Sequence, residues 1–272
     1  MPHNLNETKI TVNKLTVSYI DEGPVNAPVI IFIHGFPLNK FMWNKQIEAL
    51  TDEYRIIAFD IRGHGNSDAG DDKFAIDLFA NDLMVLMDAL KIEKAVLCGL
   101  SLGGYIALKA IESHPERFTS MILSDTSCMA DTPEGKEKRL NTIENIAKNG
   151  IEKYAEESLK KLFAIESFTT NREEIAFARQ MIVETSRQTI TNTLHALADR
   201  KETCSQLQDI KVPVLIMVGK EDVITPLEAA KFMHEKIRDS ILYIIGHAGH
   251  LSNIENPGEY NDKLRKFIAS AK

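Results

Sequence analysis

Six short apolar runs recur along this 272-residue chain, and they constrain its fold more than any other feature. They lie at residues 28–33, 55–59, 95–98, 120–123, 213–218 and 241–245. A strand with one face in water alternates apolar and polar residues. A run that is apolar nearly throughout reads as a strand covered on both faces, as in parallel sheets flanked by helices. Helical patterns separate the runs. Ile76, Phe79, Ala80, Leu83, Leu86, Met87 and Leu90 recur at spacings of three and four. A second helix starts at Ser101 and carries Ile106, Ala107 and Ala110; a third starts with Pro257, at a first-turn position that suits proline, and reaches Ile268. The pattern predicts an α/β fold built of βαβ units, with a mostly parallel sheet flanked by helices. Residues 10–21, rich in Thr, Val, Ile and Tyr, predict a preceding hairpin that turns at Asn13 and Lys14.

One stretch breaks the alternation. Between Ser127 and Gln208 only helix-like segments appear, at 140–147, 151–163, 175–182 and 190–197. A single helix would suffice to cross between parallel strands. The expected organisation is therefore a core of residues 1–126 and 209–272, with a helical cap of residues 127–208. That cap is expected over the carboxyl end of the sheet, where open α/β sheets bind ligands.

Composition narrows the function classes. Thirty-two basic against 39 acidic residues leave a net charge of −7, which argues against a nucleic-acid partner. No purely apolar run is longer than that of residues 29–33, far below the ~20 residues that span a bilayer, so no membrane partner is expected. The first seven residues lack the basic start and apolar stretch of a signal peptide. Three widely spaced cysteines, Cys98, Cys128 and Cys204, cannot all pair, match no zinc pattern and suit a reducing compartment. A cytoplasmic location is expected. Nothing reads as a metal site or a dinucleotide loop, and no cofactor is expected.

The chemistry-bearing motif is Gly99-Leu-Ser101-Leu-Gly103, placed after one strand and before a helix. Such a turn holds the serine in a strained backbone conformation, with glycines flanking it where a Cβ would clash. The hydroxyl is lifted clear of the sheet at a helix N-terminus, where the dipole favours developing negative charge. A serine nucleophile needs a base and an orienting acid. Asp222 follows the run ending at Val218, and His247 and His250 follow the run ending at Ile245. Asp125 and Glu221 compete for the role of acid.

With these residues in view, the chain resembles the α/β-hydrolase family over nearly its whole length. Ser101, Asp222 and His250 stand in that family's order. His34-Gly-Phe-Pro37 is similar to the family's oxyanion loop, and residues 60–67 are similar to its loop after the fourth strand. Asp222-Val-Ile-Thr-Pro226 and residues 250–257 look like the acid and base loops. The elbow itself is similar to the small esterase, enol-lactonase and perhydrolase group. The resemblance implies a catalytic set of Ser101, Asp222 and His250, with His34 bracing the oxyanion loop and His64 holding its own turn. It implies an oxyanion hole from the backbone N–H groups of Leu102 and Phe36, since Pro37 has no N–H. His247 is expected to bond locally; His3, His114, His195 and His234 are expected at the surface or at caps, and Cys98 as an inert buried thiol.

An apolar acyl pocket is expected from Phe36, Trp43, Leu100, Leu102, Met129, Phe163, Val223 and Leu251. A substrate carboxylate would call for a basic residue, and Arg62 and Lys220 stand on nearby loops. The reading is a serine carboxylesterase for small or medium esters. Its alternatives are a lactonase like the enol-lactonases, a hydrolase of C–C bonds, and, in another class, a ligand receptor that keeps the triad and signals through a protein partner.

Overall fold

A computed structural model describes residues 5–271, so His3 lies outside the described residues. Strands β1 (Glu7–Val12) and β2 (Leu15–Glu22) form the hairpin, and Asn13 and Lys14 take positive φ in its turn. Then β3 (Val29–Ile33), α1 (Asn44–Leu50), β4 (Arg55–Phe59), α2 (Ile76–Ala89), β5 (Ala95–Leu100), α3 (Leu102–Ser113) and β6 (Phe118–Ser124) follow. Four helices come next without a strand: α4 (Pro133–Leu162), α5 (Ser167–Thr170), α6 (Arg172–Glu184) and α7 (Arg187–Asp199). The alternation resumes with β7 (Val214–Gly219), α8 (Leu227–Lys236), β8 (Ile241–Ile245), α9 (Ser252–Glu255) and α10 (Pro257–Ser270).

The eight strands form one sheet in the order β1-β2-β4-β3-β5-β6-β7-β8, antiparallel at β1–β2 and β2–β4 and parallel elsewhere. The apolar runs owe their lack of alternation to two cores. Ile31, Ile33, Leu97 and Leu123 face one layer with α2 and α3; Ile30, Phe32, Cys98 and Ile122 face the other with Trp43, Ile47 and Tyr260. Each face needs its own apolar residues, so both parities of the strand are filled. Fully burying one such side chain contributes about 1.5–3 kcal/mol.

Between β6 and β7 the four helices form an insertion in which α4 packs on α6 and α7. The two helices expected at 140–147 and 151–163 are both present, and they meet at a kink at Gly150, whose φ of 85° lies outside the helical region; the label α4 spans the pair. Among the described residues, no helix is long and apolar enough to cross a membrane.

One expectation is overturned. Cys128 and Cys204 form a disulfide, and Cys98 alone remains a free thiol, buried. A sequence separation of 76 made them look unrelated, yet they stand at the two feet of the insertion, which the fold brings together. Their spacing therefore gives no argument for a reducing compartment.

In non-reducing denaturant one thiol per chain should react with a thiol reagent, and three after reduction. Closing a loop of this length stabilises by about 2–4 kcal/mol. Cys128→Ser with Cys204→Ser should thus lower the melting temperature by several degrees. A single thiol count of three without reductant would contradict the bridge.

Candidate active site

Ser101 sits between β5 and α3 at φ 53° and ψ −111°, outside the regions open to ordinary residues. Such strain costs about 1–3 kcal/mol and persists only when the surroundings enforce it. Here the Ser101 N–H donates to Ser124 O at 3.0 Å, and Thr126 Oγ1 donates to Ser101 O at 2.8 Å. Space enforces it too. A Cβ on Gly103 would meet the Ile33 carbonyl oxygen at 2.2 Å, so only glycine lets α3 start this close to β3. Leu102 is the first residue of α3, so its N–H has no acceptor one turn earlier in the helix.

His250 is buried on the loop after β8, with Nδ1 at 2.8 Å from Asp222 Oδ2. Asp222 is buried as well and accepts from the N–H groups of Ile224 (2.8 Å) and Thr225 (3.0 Å) through Oδ1. Thr225 Oγ1 donates to Asp222 Oδ2 at 2.7 Å and stands 3.3 Å from His250 Nδ1. Burial alone would raise the Asp222 carboxyl, but His250 and these hydrogen bonds outweigh it and hold the pKa below the usual range. The ionised carboxylate therefore fixes the ring with Nδ1 protonated and Nε2 free to accept. Ser101 and His250 line one cavity of about 340 Å³, together with Phe36, Pro37 and Leu102.

Asp125 is a different kind of carboxylate. It accepts from Gly219 N–H at 2.7 Å and from Ser252 Oγ, not from His250. Burial, and then the charge of Asp222, push its pKa well above the ordinary value. Glu221 is exposed. His247 is exposed and pairs with Glu166 at 2.8 Å. His34 is fully buried, with Nδ1 3.0 Å from Gly35 O and Nε2 accepting from Ile61 N–H at 3.0 Å, a brace between the Gly35 and Ile61 loops. His64 stands edge-on to His34 and bonds Arg62 O at 3.2 Å. His114, His195 and His234 are exposed. Asp60 ties the same region together, accepting from Lys40 N–H, Lys40 Nζ and Asn66 N–H at 2.9, 2.6 and 2.9 Å.

The residues expected to line the apolar pocket need correction. Of its eight residues, Phe36 and Leu102 line the cavity of Ser101. Trp43 stacks on Phe32 at 4.7 Å inside the core, and Leu100 and Leu251 are buried in that same core. Met129 lies beside the disulfide, in a cavity next to Arg200. Phe163 and Val223 line a separate hollow behind Asp222, and Lys220 joins them there. Arg62 is spent on Asp82, at 2.8 and 2.7 Å. In place of the other six, Leu162, Leu194, Leu197 and Ile224 complete the apolar lining, and α4 adds a polar roof. Gly135, Lys138, Arg139 and Thr142 line the cavity from before the Gly150 bend; Tyr154, Glu157, Ser158 and Lys161 line it from after. Each quartet follows the spacing i, i+3, i+4, i+7, one face of a helix. That periodicity is a signal in the sequence, but amphipathic reasoning assigns a polar face to solvent. Thr225 carried a weaker signal, a hydroxyl three residues after the acid. Among the described residues, no group of three or more His, Cys, Asp or Glu side chains could hold a metal ion.

Comparison with known proteins identifies the family of this fold. Residues 28–257 match the family model described as alpha/beta hydrolase fold. The chain is 31% identical over 256 residues to 3-oxoadipate enol-lactonase 1 of Acinetobacter baylyi, covering 94% of each chain. Among solved structures, a thermophilic esterase from Thermogutta terrifontis aligns at a TM-score of 0.92 and 31% identity, over 98% of this chain and 99% of that one. The enol-lactonase from Burkholderia xenovorans LB400 aligns at 0.90 and 25% identity, over 96% and 100%.

Two of the buried imidazoles, His34 and His64, make stability depend on pH. Burial lowers the pKa of His34 and His64 from the ordinary 6.5 to about 3. Below about 6.5 the unfolded chain takes up protons that the folded chain refuses, so stability falls as pH drops through the window from 6.5 to 3. At pH 5 each ring costs about 2 kcal/mol relative to pH 7. His64→Asn should shrink the difference in urea-unfolding free energy between pH 7 and pH 5 by about that amount. An unchanged difference would mean that His64 is not held neutral.

Proposed function

Because the chain belongs to the α/β-hydrolase family, a family of hydrolases, we propose that it is a serine hydrolase that cleaves small to medium carboxylic esters through an acyl-enzyme on Ser101. The observation that carries this reading is the buried Asp222–His250 hydrogen bond of 2.8 Å, with His250 and Ser101 lining one cavity. His250 Nε2 takes the hydroxyl proton as Ser101 Oγ attacks the ester carbonyl carbon. Asp222 keeps the ring in the tautomer that can accept it and stabilises the imidazolium that forms. The oxyanion of the tetrahedral intermediate is held by the N–H groups of Leu102 and Phe36. When that intermediate collapses, His250 returns the proton to the leaving alcohol. Water, deprotonated by the same imidazole, then frees the carboxylic acid. The insertion serves as the cap over this chemistry.

A specific observation favours a second reading. Lys138, Arg139 and Lys161 line the cavity. Arg139 is committed to Asp131, and a carboxylate on the substrate would meet the two lysines, both exposed, at the cavity's edge. An enol-lactone or another lactone acid would use them. The same acyl-enzyme opens a lactone ring, so the two readings share every step up to the nature of the leaving oxygen. The relatives named as an esterase and as enol-lactonases support both. Side-by-side kcat/KM values for neutral esters, for esters carrying a carboxylate and for enol-lactones decide between them. Multiple turnover with any of them separates an enzyme from a triad-bearing receptor.

An alkyl fluorophosphonate should add once, to Ser101, and leave Ser101→Ala unlabelled. Ser101→Ala and His250→Ala should each lower kcat by more than about 10⁴-fold, because the members of such a set act as a unit. Asp222→Asn should lower it about 10³–10⁴-fold, and Asp125→Asn less than about tenfold. Labelling elsewhere with Ser101 untouched would sink the assignment. A larger loss in Asp125→Asn than in Asp222→Asn would move the acid.

A further inference from the structure

The loop that carries His250 is held on one side by the turn after β7, where Glu221 N–H donates to Ala248 O at 2.9 Å, and on the other by the insertion. The His250 and Leu251 N–H groups both donate to Leu162 O, at 3.0 and 3.2 Å, and Leu162 is the last residue of α4. The contact is close enough to exclude side chains. A Cβ on Gly249 would stand 2.7 Å from Ala164 N, so residue 249 has to be glycine for the chains to meet. Into this junction Glu255 projects a buried carboxylate from the end of α9. Its Oε1 accepts from Gly249 N–H at 2.8 Å; its Oε2 accepts from Ala164 N–H at 2.7 Å and from Ser167 Oγ at 2.6 Å. One carboxylate thus bonds the residue before His250 through one oxygen and the insertion through the other. Its backbone carbonyl takes a further bond from Asn171 Nδ2 at 3.1 Å.

We propose that Glu255 is a positioning residue, one that locks the α4–α5 junction of the insertion to the loop of His250 and so sets where the imidazole stands relative to Ser101. The proposal rests on the reading of Ser101 and His250 as nucleophile and base. Both oxygens are needed as acceptors, on opposite sides of the junction. Hydrogen bonds from N–H and O–H to a buried carboxylate are among the stronger ones, and leaving such donors unpaired is costly. A glutamine of the same shape keeps one acceptor oxygen and turns an NH₂ donor toward a donor on the other side. It therefore loosens either the grip on Gly249 or the grip on Ala164 and Ser167.

The test compares wild type, Glu255→Gln and the milder Ser167→Ala, which removes one bond from the insertion side. Active sites are counted by fluorophosphonate titration with mass analysis, and kcat and KM for a small nitrophenyl ester are expressed per titrated site. We expect kcat per site and the rate constant of phosphonylation to fall together, at least tenfold in Glu255→Gln and about threefold in Ser167→Ala. KM should change less than threefold, with the adduct still on Ser101. Ser167→Ala keeps the test informative should Glu255→Gln fold poorly. A lowered melting temperature with kcat per site and phosphonylation rate unchanged would overturn the proposal, leaving Glu255 a purely structural residue. Absence of any Ser101 adduct on wild type would overturn the underlying reading and the proposal with it.

Discussion

The close passage of the α3 N-terminus over β3 is the constraint on which the rest of the site depends. Gly103 lies so near the Ile33 carbonyl that one added carbon would stand 2.2 Å from its oxygen. Because that helix starts so low against the sheet, the residue before it must turn back on itself, and Ser101 takes its strained φ of 53° as the consequence. The same passage brings β3's following loop beside the serine, so that Phe36 and Leu102 border one cavity with it. The strain has two external anchors, Ser124 O and Thr126 Oγ1, both on or just after β6. Three parallel strands thus cooperate in placing one hydroxyl. A hydrophobic core on both faces of the sheet supplies the rigidity that such placement needs.

Around that hydroxyl the protein keeps two buried carboxylates whose pKa values are shifted in opposite directions. Asp222 has His250 and Thr225 as partners and stays ionised; Asp125, facing the charge of Asp222 in the same low-dielectric region, is pushed up. Two unshielded negative charges there would repel strongly, and the difference in partners resolves the conflict. The hydrogen bonds from Gly219 and Ser252 give Asp125 a structural task, tying β7 to the loop beyond His250. A second carboxylate at the end of β6 is therefore compatible with a single acid serving the histidine.

The fold was legible in the chain because both faces of the sheet are covered, and that burial writes itself into unbroken apolar runs such as that of β3. The candidate site was legible because backbone constraints do too: Gly103 and the Ser101 turn leave a motif that close approach requires. What failed was inference from side-chain polarity alone. Trp43, Leu100 and Leu251 are apolar for the sake of the core, and their nearness in sequence to site residues gave a false signal. The quartets on α4 were passed over for the converse reason, since a polar helical face looks like a surface whether it meets bulk water or a cavity. Cys128 and Cys204 failed through topology. Their pairing depends on the insertion's two feet meeting, which no local pattern encodes.

The insertion is fixed at its feet and again at the end of α4, and this bears on what its polar roof can do. At the feet the disulfide is joined by Asp131, which pairs with Arg139 of α4 and, at 2.6 Å, with Arg200 just after α7. Arg200 also lies over the Tyr105 ring at 4.5 Å, which carries the tether down to α3. At the other end of α4, Leu162 and Glu255 join the insertion to the loop of His250. Between these anchors α4 has one residue outside the helical region, Gly150, where a side chain would meet nothing within 4 Å. A displacement of the roof that leaves both anchors intact is therefore concentrated at that bend. Movement at either anchor would instead be felt directly at α3, behind the serine, or at the histidine loop. A backbone held in this way needs little reordering when a ligand arrives, which limits the cost of binding. The roof's chemistry and the placement of the reacting groups are consequently parts of one mechanical unit.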